Sequence, residues 1–277
     1  MSLGRKAPTA TRGLQVFLGV AVLLVAVLSA ACSSISTNKP KPAGCPDVQT
    51  VFVPGTYETH VGADPVVAVG LLKAVSDRIV ASAAPDRAGI YFVPYPAQFT
   101  DLANYQQSVA AGAKATTDAM AATVSRCPDV SFTLTGFSQG AAVAGDVATQ
   151  IGQGGGPVAA KRLLGVGLVS DPNRNPSTEK LIGPAVEGGG LAGARAKDFG
   201  AVGDRVVTFC VAGDLICAMP NVAGDPARLA LALAQLGTYL TSQVHSSYGS
   251  YKVDSGNTAT SWLANWLNEK IAAAPKG

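Results

Sequence analysis

The residues of this sequence best suited to chemistry are a serine and the two glycines around it. Gly136, Ser138 and Gly140 have the spacing G-x-S-x-G in the stretch TLTGFSQGAA, residues 133–142. VSFTLT before them is typical of a buried strand, and QGAAVAGDVATQI after them is typical of a helix with many small residues. A strand, a tight turn and a helix form the setting in which a serine of this motif acts as a nucleophile. The pattern therefore predicts that Ser138 is a nucleophile and not an ordinary turn serine.

A serine hydroxyl becomes a good nucleophile only when a base takes its proton and an acid orients that base. Proteins with this strand-turn-helix motif carry the three groups in the chain order serine, acid, histidine. Of the two histidines, only His245 follows Ser138, whereas His60 precedes it. Asp214, in the stretch CVAGDLIC, is the favoured acid because a clip between Cys210 and Cys217 would hold it just after a predicted strand. Asp171 also follows a predicted strand and is the alternative acid.

The elements that must position these residues alternate between short β-rich runs and longer helical patterns. Asp64-Pro65 predicts the start of a helix that ends near residue 84, and Asp101 predicts the start of another that ends near residue 126. The alternation predicts an α/β fold with a mostly parallel sheet of about five strands and helices on both faces. Ligands of such sheets bind beyond the carboxyl ends of the strands, which is where Ser138 lies. Five runs rich in valine, isoleucine and phenylalanine predict the buried strands: VQTVFV (48–53), GIYFVPY (89–95), VSFTLT (130–135), LLGVGLVS (163–170) and RVVTFCV (205–211).

The first 32 residues have the pattern of a signal or anchor segment. Three positive charges (Arg5, Lys6 and Arg12) precede an apolar run over residues 13–31, and they account for the formal net charge of +3. As a helix, that run would nearly span a bilayer core of about 30 Å, which favours an uncleaved anchor with the rest of the chain outside the cytoplasm. Two alternatives remain open: cleavage at the small residues near position 31, and lipidation of Cys32, although Ser29 stands where a lipidation motif has an aliphatic residue. Residues 33–44, rich in Ser, Pro and Lys, predict a linker to a domain over 45–277.

Four further cysteines lie in the predicted exported domain, where disulfides are expected. The short spacing of Cys210 and Cys217 favours a clip around Asp214, which leaves Cys45 to pair with Cys127. Free thiols are the alternative. With no C-x-x-C pair and only two histidines, the sequence predicts no metal site.

The composition limits the class of protein. Apolar residues make up 48% of the 277 positions and charged residues 14%, which predicts one globular domain beyond the N-terminal segment. Basic and acidic side chains balance once the N-terminal charges are set aside, so we expect no nucleic-acid partner. We also expect a monomer.

Four motifs in a fixed order together resemble the cutinase family of serine esterases. They are GCPDVQTVFVPGTYET (44–59), CPDVSFTLTGFSQGAAV (127–143), CVAGDLIC (210–217) and VHSSYG (244–249). The resemblance is strongest to the membrane-anchored cutinase-like proteins of the actinobacterial envelope. It implies an α/β-hydrolase fold, no cofactor, and a Ser-Asp-His triad made of Ser138, Asp214 and His245.

The resemblance also implies the remaining site residues. It pairs Cys45 with Cys127 and Cys210 with Cys217. It places the oxyanion hole at the backbone N–H of Gln139 and at Thr56, in the family's G-[ST]-x-E loop.

Two features of the sequence depart from the secreted fungal members of the family. The interval between Asp214 and His245 is long, and a glycine-rich stretch over residues 172–200 follows Asp171. Plant cutin is therefore not the expected substrate.

We predict an extracytoplasmic serine carboxylester hydrolase that acts on acyl esters of envelope lipids or on phospholipids. Acyl transfer by the same acyl-enzyme, and a non-catalytic lipid-binding protein on a hydrolase fold, are the alternatives. Within the long interval, Asp225-Pro226 predicts the start of a helix over 225–244. Its leucine stripe fits core packing, with a wall or lid of an acyl-chain groove as the second hypothesis: Leu229, Leu233, Leu236 and Leu240 form the stripe, and Leu231 and Tyr239 lie off it.

Overall fold

The computed structural model describes residues 41–84, 86–221 and 243–276. The chain divides into the units Met1–Pro40 and Lys41–Gly277, and the described residues belong to the second unit. The predicted anchor, most of the predicted linker and nearly all of the predicted helix over 225–244 lie outside the described residues. Among the described helices, none is both long enough and apolar enough to span a membrane.

Five parallel strands form the central sheet in the order β2-β1-β3-β4-β5. The strands are β1 (Val48–Val53), β2 (Ala88–Phe92), β3 (Ser131–Phe137), β4 (Leu163–Val169) and β5 (Val206–Phe209). The prediction of an α/β fold with a mostly parallel sheet of about five strands is confirmed. All five predicted runs form strands, although β2 and β5 are shorter than their sequence patterns.

Within the part of the chain that the structure describes, four α-helices cover the two faces of this sheet: α1 (Lys73–Ser82), α2 (Leu102–Arg126), α3 (Gln139–Gly152) and α4 (Ala259–Ala273). On one face, α2 and α3 pack on strand residues such as Val51, Leu134 and Val166. On the other face, α1 and α4 pack on residues such as Phe52 and Phe209. Successive side chains of a strand point to opposite faces, and this alternation gives the sheet an apolar core on each side. Short 3-10 helices at Ala160–Arg162, Gly200–Arg205 and Val244–Gly249 complete the described elements.

The first helix begins eight residues later than the sequence pattern predicts. Asp64 does not cap a helix, because its Oδ1 accepts a hydrogen bond from the N–H of Val66 in a local turn. The carbonyl of Pro65 accepts from the N–H of Phe92 at the end of β2. Gly70 then takes φ +61°, a left-handed conformation that interrupts a helix, so α1 starts only at Lys73. By contrast, α2 begins where predicted, with Asp101 accepting from the N–H of Asn104.

A disulfide joins Cys45, just before β1, to Cys127, just after α2. The bond closes a chain segment of 82 residues, so it fixes the start of the sheet to the end of a helix that packs on it. Next to it, Asp47 binds Arg87 and also Lys41, which belongs to the predicted linker. Arg87 in turn donates to the last carbonyls of α4, including those of Ile271 and Ala274. These contacts therefore hold this end of the domain together, and the candidate site lies at the opposite edge of the sheet.

Candidate active site

Ser138 occupies a sharp turn between β3 and α3. It is the residue immediately before the helix, and its φ of +55° and ψ of −121° are strained for a residue with a side chain. Its N–H donates to the carbonyl of Val169 at 2.9 Å, which holds the turn to the end of β4. The side chain thus projects from the carboxyl end of the sheet, as the G-x-S-x-G pattern requires of a nucleophile.

The two glycines of the motif are required by close packing of the backbone. A Cβ on Gly136 would collide with the carbonyl of Gly140 in the first turn of α3. A Cβ on Gly140 would collide with the carbonyl oxygens of Val53 and Pro54, at the end of β1. Helix α3 therefore approaches both its own strand and the neighbouring strand as closely as the backbone allows, and this approach forces the tight turn at Ser138.

The structure brings Ser138, His245 and Asp214 together. His245 Nε2 lies 2.9 Å from Ser138 Oγ, and His245 Nδ1 lies 3.1 Å from both carboxylate oxygens of Asp214. Ser138 comes from the turn after β3, Asp214 from a loop after β5 and His245 from the 3-10 helix Val244–Gly249. This continuous line of contacts can pass the serine proton to the imidazole while the carboxylate stabilises the imidazolium that forms.

The carboxylate of Asp214 is fully buried and accepts several hydrogen bonds. Ser170 Oγ donates to its Oδ2 at 2.6 Å, Tyr248 Oη donates to the same oxygen at 2.7 Å, and the N–H of Ile216 donates to Oδ1 at 3.1 Å. Burial raises the pKa of this carboxyl, but the hydrogen bonds and positive charge of His245, with the two hydroxyl donors, outweigh it and leave the pKa below its ordinary value. Asp214 is therefore held as a carboxylate.

A disulfide closes the loop that carries this aspartate. Cys210, at the end of β5, is bonded to Cys217, and the carbonyl of Asp214 accepts from the N–H of Cys217 at 3.1 Å. The loop is thus a short ring of fixed backbone with the carboxylate on its inner side. Both disulfides have the pairing that the sequence predicts.

The segment that carries His245 is fixed by an aromatic residue three positions later. Tyr248 is fully buried, and besides its bond to Asp214 its hydroxyl oxygen accepts from the N–H of Val211 at 3.2 Å. Phe137, next to the nucleophile, stacks on the imidazole of His245 with ring centroids 5.0 Å apart. The ring is therefore held between an apolar face and the Asp214 carboxylate.

Asp171, the alternative acid, lies away from this line of contacts. Its buried carboxylate binds the guanidinium of Arg195 through two hydrogen bonds, of 2.5 and 3.1 Å. The same guanidinium also contacts Asp146 and donates to the carbonyls of Ala141 and Ala142 in α3. Arg195 therefore joins the glycine-rich stretch 172–200 to the helix behind Ser138, and Asp171 holds its guanidinium in place. His60 is exposed, and its ring Nδ1 contacts a backbone carbonyl of the next residue.

Of the two residues predicted to form an oxyanion hole, Gln139 directly follows Ser138 in the chain and Thr56 lies after β1. Gln139 is the first residue of α3, so its N–H has no acceptor within the helix, and its side chain is occupied elsewhere, by Ser108 and the carbonyl of Gln98. Thr56 lies in the turn after β1, a segment that packs on the glycines of the elbow. Their role as oxyanion donors stays a prediction.

Glu58 shapes the turn that carries Thr56. Its carboxylate accepts from the N–H of Gly55 at 2.7 Å and from the N–H of Leu71 at 2.8 Å. Burial raises the pKa of this carboxyl, and those two donors and the charge of His245 offset part of the rise. Glu58 thus holds the turn in place and adds negative charge near the imidazole.

Three contacts of the site were not predicted from the sequence: Ser170 and Tyr248 on Asp214, and Glu58 behind Thr56. Tyr248 and Glu58 lie inside the VHSSYG and GTYET motifs, which was a usable signal. Ser170 had none beyond its place at the end of a predicted strand. Within the described ranges, no three His, Cys, Asp or Glu side chains are grouped so that they could hold a metal ion.

The residues around Ser138 decide the family of this chain when they are compared with known proteins. A family model described as Cutinase matches residues 44–228, two thirds of the sequence and most of the site. The chain belongs to the cutinase family. Together with the contacts of Ser138 and His245, this membership makes the protein a serine carboxylesterase.

Two relatives of this cutinase-family chain are bacterial. It is 29% identical over 261 residues to a protein named Carboxylesterase Culp6 homolog from Corynebacterium glutamicum, with 83% of each chain covered. It is 30% identical over 207 residues to Phospholipase Culp4 of Mycobacterium tuberculosis, with 72% of this chain and 80% of the other covered.

The fold of the cutinase-family chain is also found in solved structures. The catalytic core domain of acetyl xylan esterase from Trichoderma reesei has a TM-score of 0.56 at 17% identity and covers 83% of this chain and 100% of its own. A cutinase-like protein from Cryptococcus sp. has a TM-score of 0.53 at 16% identity and covers 85% of this chain and 100% of its own.

Proposed function

We propose that this cutinase-family esterase hydrolyses acyl esters of envelope lipids outside the cytoplasm, through an acyl-enzyme on Ser138. The observation that carries the proposal is the 2.9 Å contact between Ser138 Oγ and His245 Nε2, with Asp214 bound to the other ring nitrogen. Nothing else in the described site offers a nucleophile with a base in reach.

In the first step, His245 takes the proton of Ser138 as Oγ attacks the ester carbonyl. Negative charge then develops on the carbonyl oxygen, where the N–H of Gln139 and Thr56 would donate to it. The imidazolium of His245, stabilised by Asp214, returns its proton to the leaving alcohol. A water molecule, activated by the same imidazole, attacks the acyl-enzyme and releases the acid.

Support for lipid substrates comes from a rim of exposed apolar side chains on the segments that follow β1 and precede α2. The turn after β1 and the loop before α2 lie side by side, because Tyr57 Oη donates to the carbonyl of Phe99 and the N–H of Tyr57 to that of Ala97. Tyr57 is 69% exposed and Phe99 52%. The same two segments expose Val61, Val66, Val67 and Leu102. Exposed apolar side chains on the segment that also carries Thr56 suit acyl chains better than a polar substrate.

Support for an exported enzyme comes from the two buried disulfides, which form and persist in oxidising compartments. The relatives include a protein named as a phospholipase, and that activity is consistent with a lipid ester as substrate. Retention by an N-terminal anchor over residues 1–32 is part of the proposal and rests on the sequence alone.

The test is covalent labelling with a fluorophosphonate, together with turnover of a short p-nitrophenyl ester. We expect labelling of the wild type and of Ser125→Ala, an exposed serine on α2, and none of Ser138→Ala. Turnover by Ser138→Ala should fall by several orders of magnitude without loss of the fold. Labelling of Ser138→Ala at the wild-type rate would refute the assignment. A product assay with and without an acceptor alcohol separates hydrolysis from acyl transfer.

The lipid part is tested separately with a phospholipid vesicle. Val61→Ser with Val66→Ser should lower hydrolysis of vesicle phospholipid at least severalfold and leave the soluble short ester unchanged. Val80→Ser, which alters an equally exposed valine on α1, is the control and should change neither activity. Equal rates on vesicles for both variants would exclude the rim as the lipid contact.

A further inference from the structure

The register of the sheet places three residues side by side at the edge that carries the site. Phe137 pairs with Val169, and Val169 pairs with Phe209, in adjacent parallel strands. The next residue of each strand is therefore at the same height: Ser138, Ser170 and Cys210. Ser170 lies between the nucleophile and the disulfide-closed loop that carries Asp214.

Ser170 contacts both partners of the acid-base pair. Its Oγ donates to Asp214 Oδ2 at 2.6 Å and lies 3.2 Å from His245 Nδ1. The side chain is completely buried, and its N–H is held by the carbonyl of Phe209 at 2.9 Å. The hydroxyl is therefore fixed in place from both sides and has no access to solvent.

The backbone of Ser170 is in an unfavourable conformation. Its φ of +52° lies in the left-handed region, which is unfavourable for a residue with a Cβ and costs glycine almost nothing. A strained, buried residue of this kind at a functional site is a reason to look for a role of its side chain. The contact that only a hydroxyl can supply here is the one to Asp214.

We propose that Ser170 is a positioning residue that orients the Asp214 carboxylate toward His245 and tempers its negative charge; this inference rests on the proposed triad. Two hydroxyls, of Ser170 and Tyr248, donate to the same oxygen, Oδ2, from different elements. Together they stop the carboxylate from rotating about its Cβ–Cγ bond, so both of its oxygens stay 3.1 Å from Nδ1. Without the donor from Ser170, the carboxylate would bind the imidazolium more strongly and in a less defined geometry.

The loss of this donor has two effects on catalysis. The loss of orientation lowers the rate, because the imidazole is less well aligned with Ser138 Oγ. The stronger ion pair between Asp214 and the protonated imidazole favours the inactive, protonated enzyme, which moves the acidic limb of the kcat/KM profile upward. The other titratable groups that interact with this pair are Glu58, through its charge, and Tyr248, on the carboxylate. Tyr248 also has a hydrogen bond to Ser170, but burial and the charge of Asp214 raise the pKa of its hydroxyl well above the ordinary value, so it stays protonated over the pH range of the assay.

The experiment compares Ser170→Gly, Ser170→Ala and the control Thr208→Val, on the full chain. Thr208 is a buried residue of β5 whose hydroxyl has no hydrogen-bond partner among the described residues, so its replacement removes a hydroxyl without touching Asp214. Ser170→Gly removes the hydroxyl and relieves the strained φ, so its Tm should not fall. Ser170→Ala covers the case in which the added glycine flexibility alone disturbs the fold.

We expect both Ser170 variants to lose about tenfold in kcat/KM near neutral pH, the scale of one hydrogen bond to a charged group. The acidic limb of their profiles should move up by about half a pH unit, a fraction of the change that such a bond can produce. Thr208→Val should match the wild type in both. A kcat/KM within twofold of the wild type, or a loss with an unmoved or lowered limb, would overturn the proposal. Failure of the triad itself is separate, since it would appear as full activity in His245→Ala.

Discussion

Replacement of Glu179 by glutamine should make the thermal stability of the protein less dependent on pH. Glu179 lies in the glycine-rich stretch 172–200, and its side chain is only 3% exposed. Burial, and next the charge of Asp171, raise the pKa of its carboxyl to about 7, while the N–H of Asn175 and the charges of Arg195 and Arg174 offset part of the rise. Its Oε1 accepts from the N–H of Asn175 at 3.0 Å, but Oε2 is buried with no partner among the described residues.

The direction and size of the effect depend on the shifted pKa. The carboxyl of Glu179 has a higher pKa in the folded protein than in the unfolded chain, where the pKa has its ordinary value of 4.5. The contribution of this group to stability is therefore greatest below pH 4.5 and falls as the pH rises to about 7. A difference of about 2.5 pH units, at about 1.4 kcal/mol per unit, corresponds to a loss of up to about 3.5 kcal/mol. For a domain of this size that is about 7–14 °C in Tm.

The assay is thermal unfolding from pH 5 to pH 8, followed by circular dichroism. Glu179→Gln should match the wild type within a few degrees at pH 5 and melt higher at pH 8, because the neutral amide keeps the contact to Asn175 and cannot ionise. Glu187→Gln, an exposed glutamate of the same stretch, is the matched control and should behave as the wild type throughout. If the Tm curves of Glu179→Gln and the wild type run parallel from pH 5 to pH 8, the reasoning about this buried carboxyl is wrong.

Two further predictions concern the acid and its loop. Asp214→Asn should lower kcat by several orders of magnitude with little change in Tm. Asp171→Asn should leave kcat of the folded protein within about tenfold but lower stability by roughly 3–5 kcal/mol, because it leaves Arg195 buried without its main partner. Kinetics normalised to active-site titration, together with Tm, distinguish the two variants, and the opposite pattern would assign the acid role to Asp171. Cys210→Ser with Cys217→Ser should lower kcat strongly and Tm only slightly, since a seven-residue clip restrains the unfolded chain less than the 82-residue loop of Cys45–Cys127. An unchanged kcat with a large fall in Tm would show that this disulfide serves stability instead.

The sequence predicted correctly the elements whose structure depends on residues close together in the chain. The runs 48–53 and 163–170 became strands almost as predicted, and Asp101 caps α2 because its own side chain reaches a backbone N–H three residues later. The elbow was predictable for the same reason, since strand, turn and helix are contiguous. Asp64-Pro65 carried an equally good cap signal, but Gly70 and a contact from Phe92 to Pro65 prevailed over it.

Contacts between distant parts of the chain were harder to predict. Ser170 and Asp214 are 44 residues apart, and they meet only because β4 and β5 are neighbours in the sheet order, which the sequence does not state. Arg195 was not singled out, yet it explains why Asp171 is unavailable as the acid. Helix α4 was missed altogether, although Thr258 and Ser261 form a capping box and Leu263, Leu267 and Ile271 share one buried face. The four motifs located the triad because each of its parts lies within one of them.

The anchoring of Tyr248 has a consequence for how such enzymes can diversify. The tyrosine places His245 by docking on Val211 and Asp214 directly, so the position of the imidazole depends on a contact and not on the length of chain between Asp214 and the 3-10 helix. That interval can then be lengthened, shortened or exchanged between family members while the proton relay keeps its geometry. Segments that contact new substrates can therefore be inserted in this interval without a change in the catalytic residues.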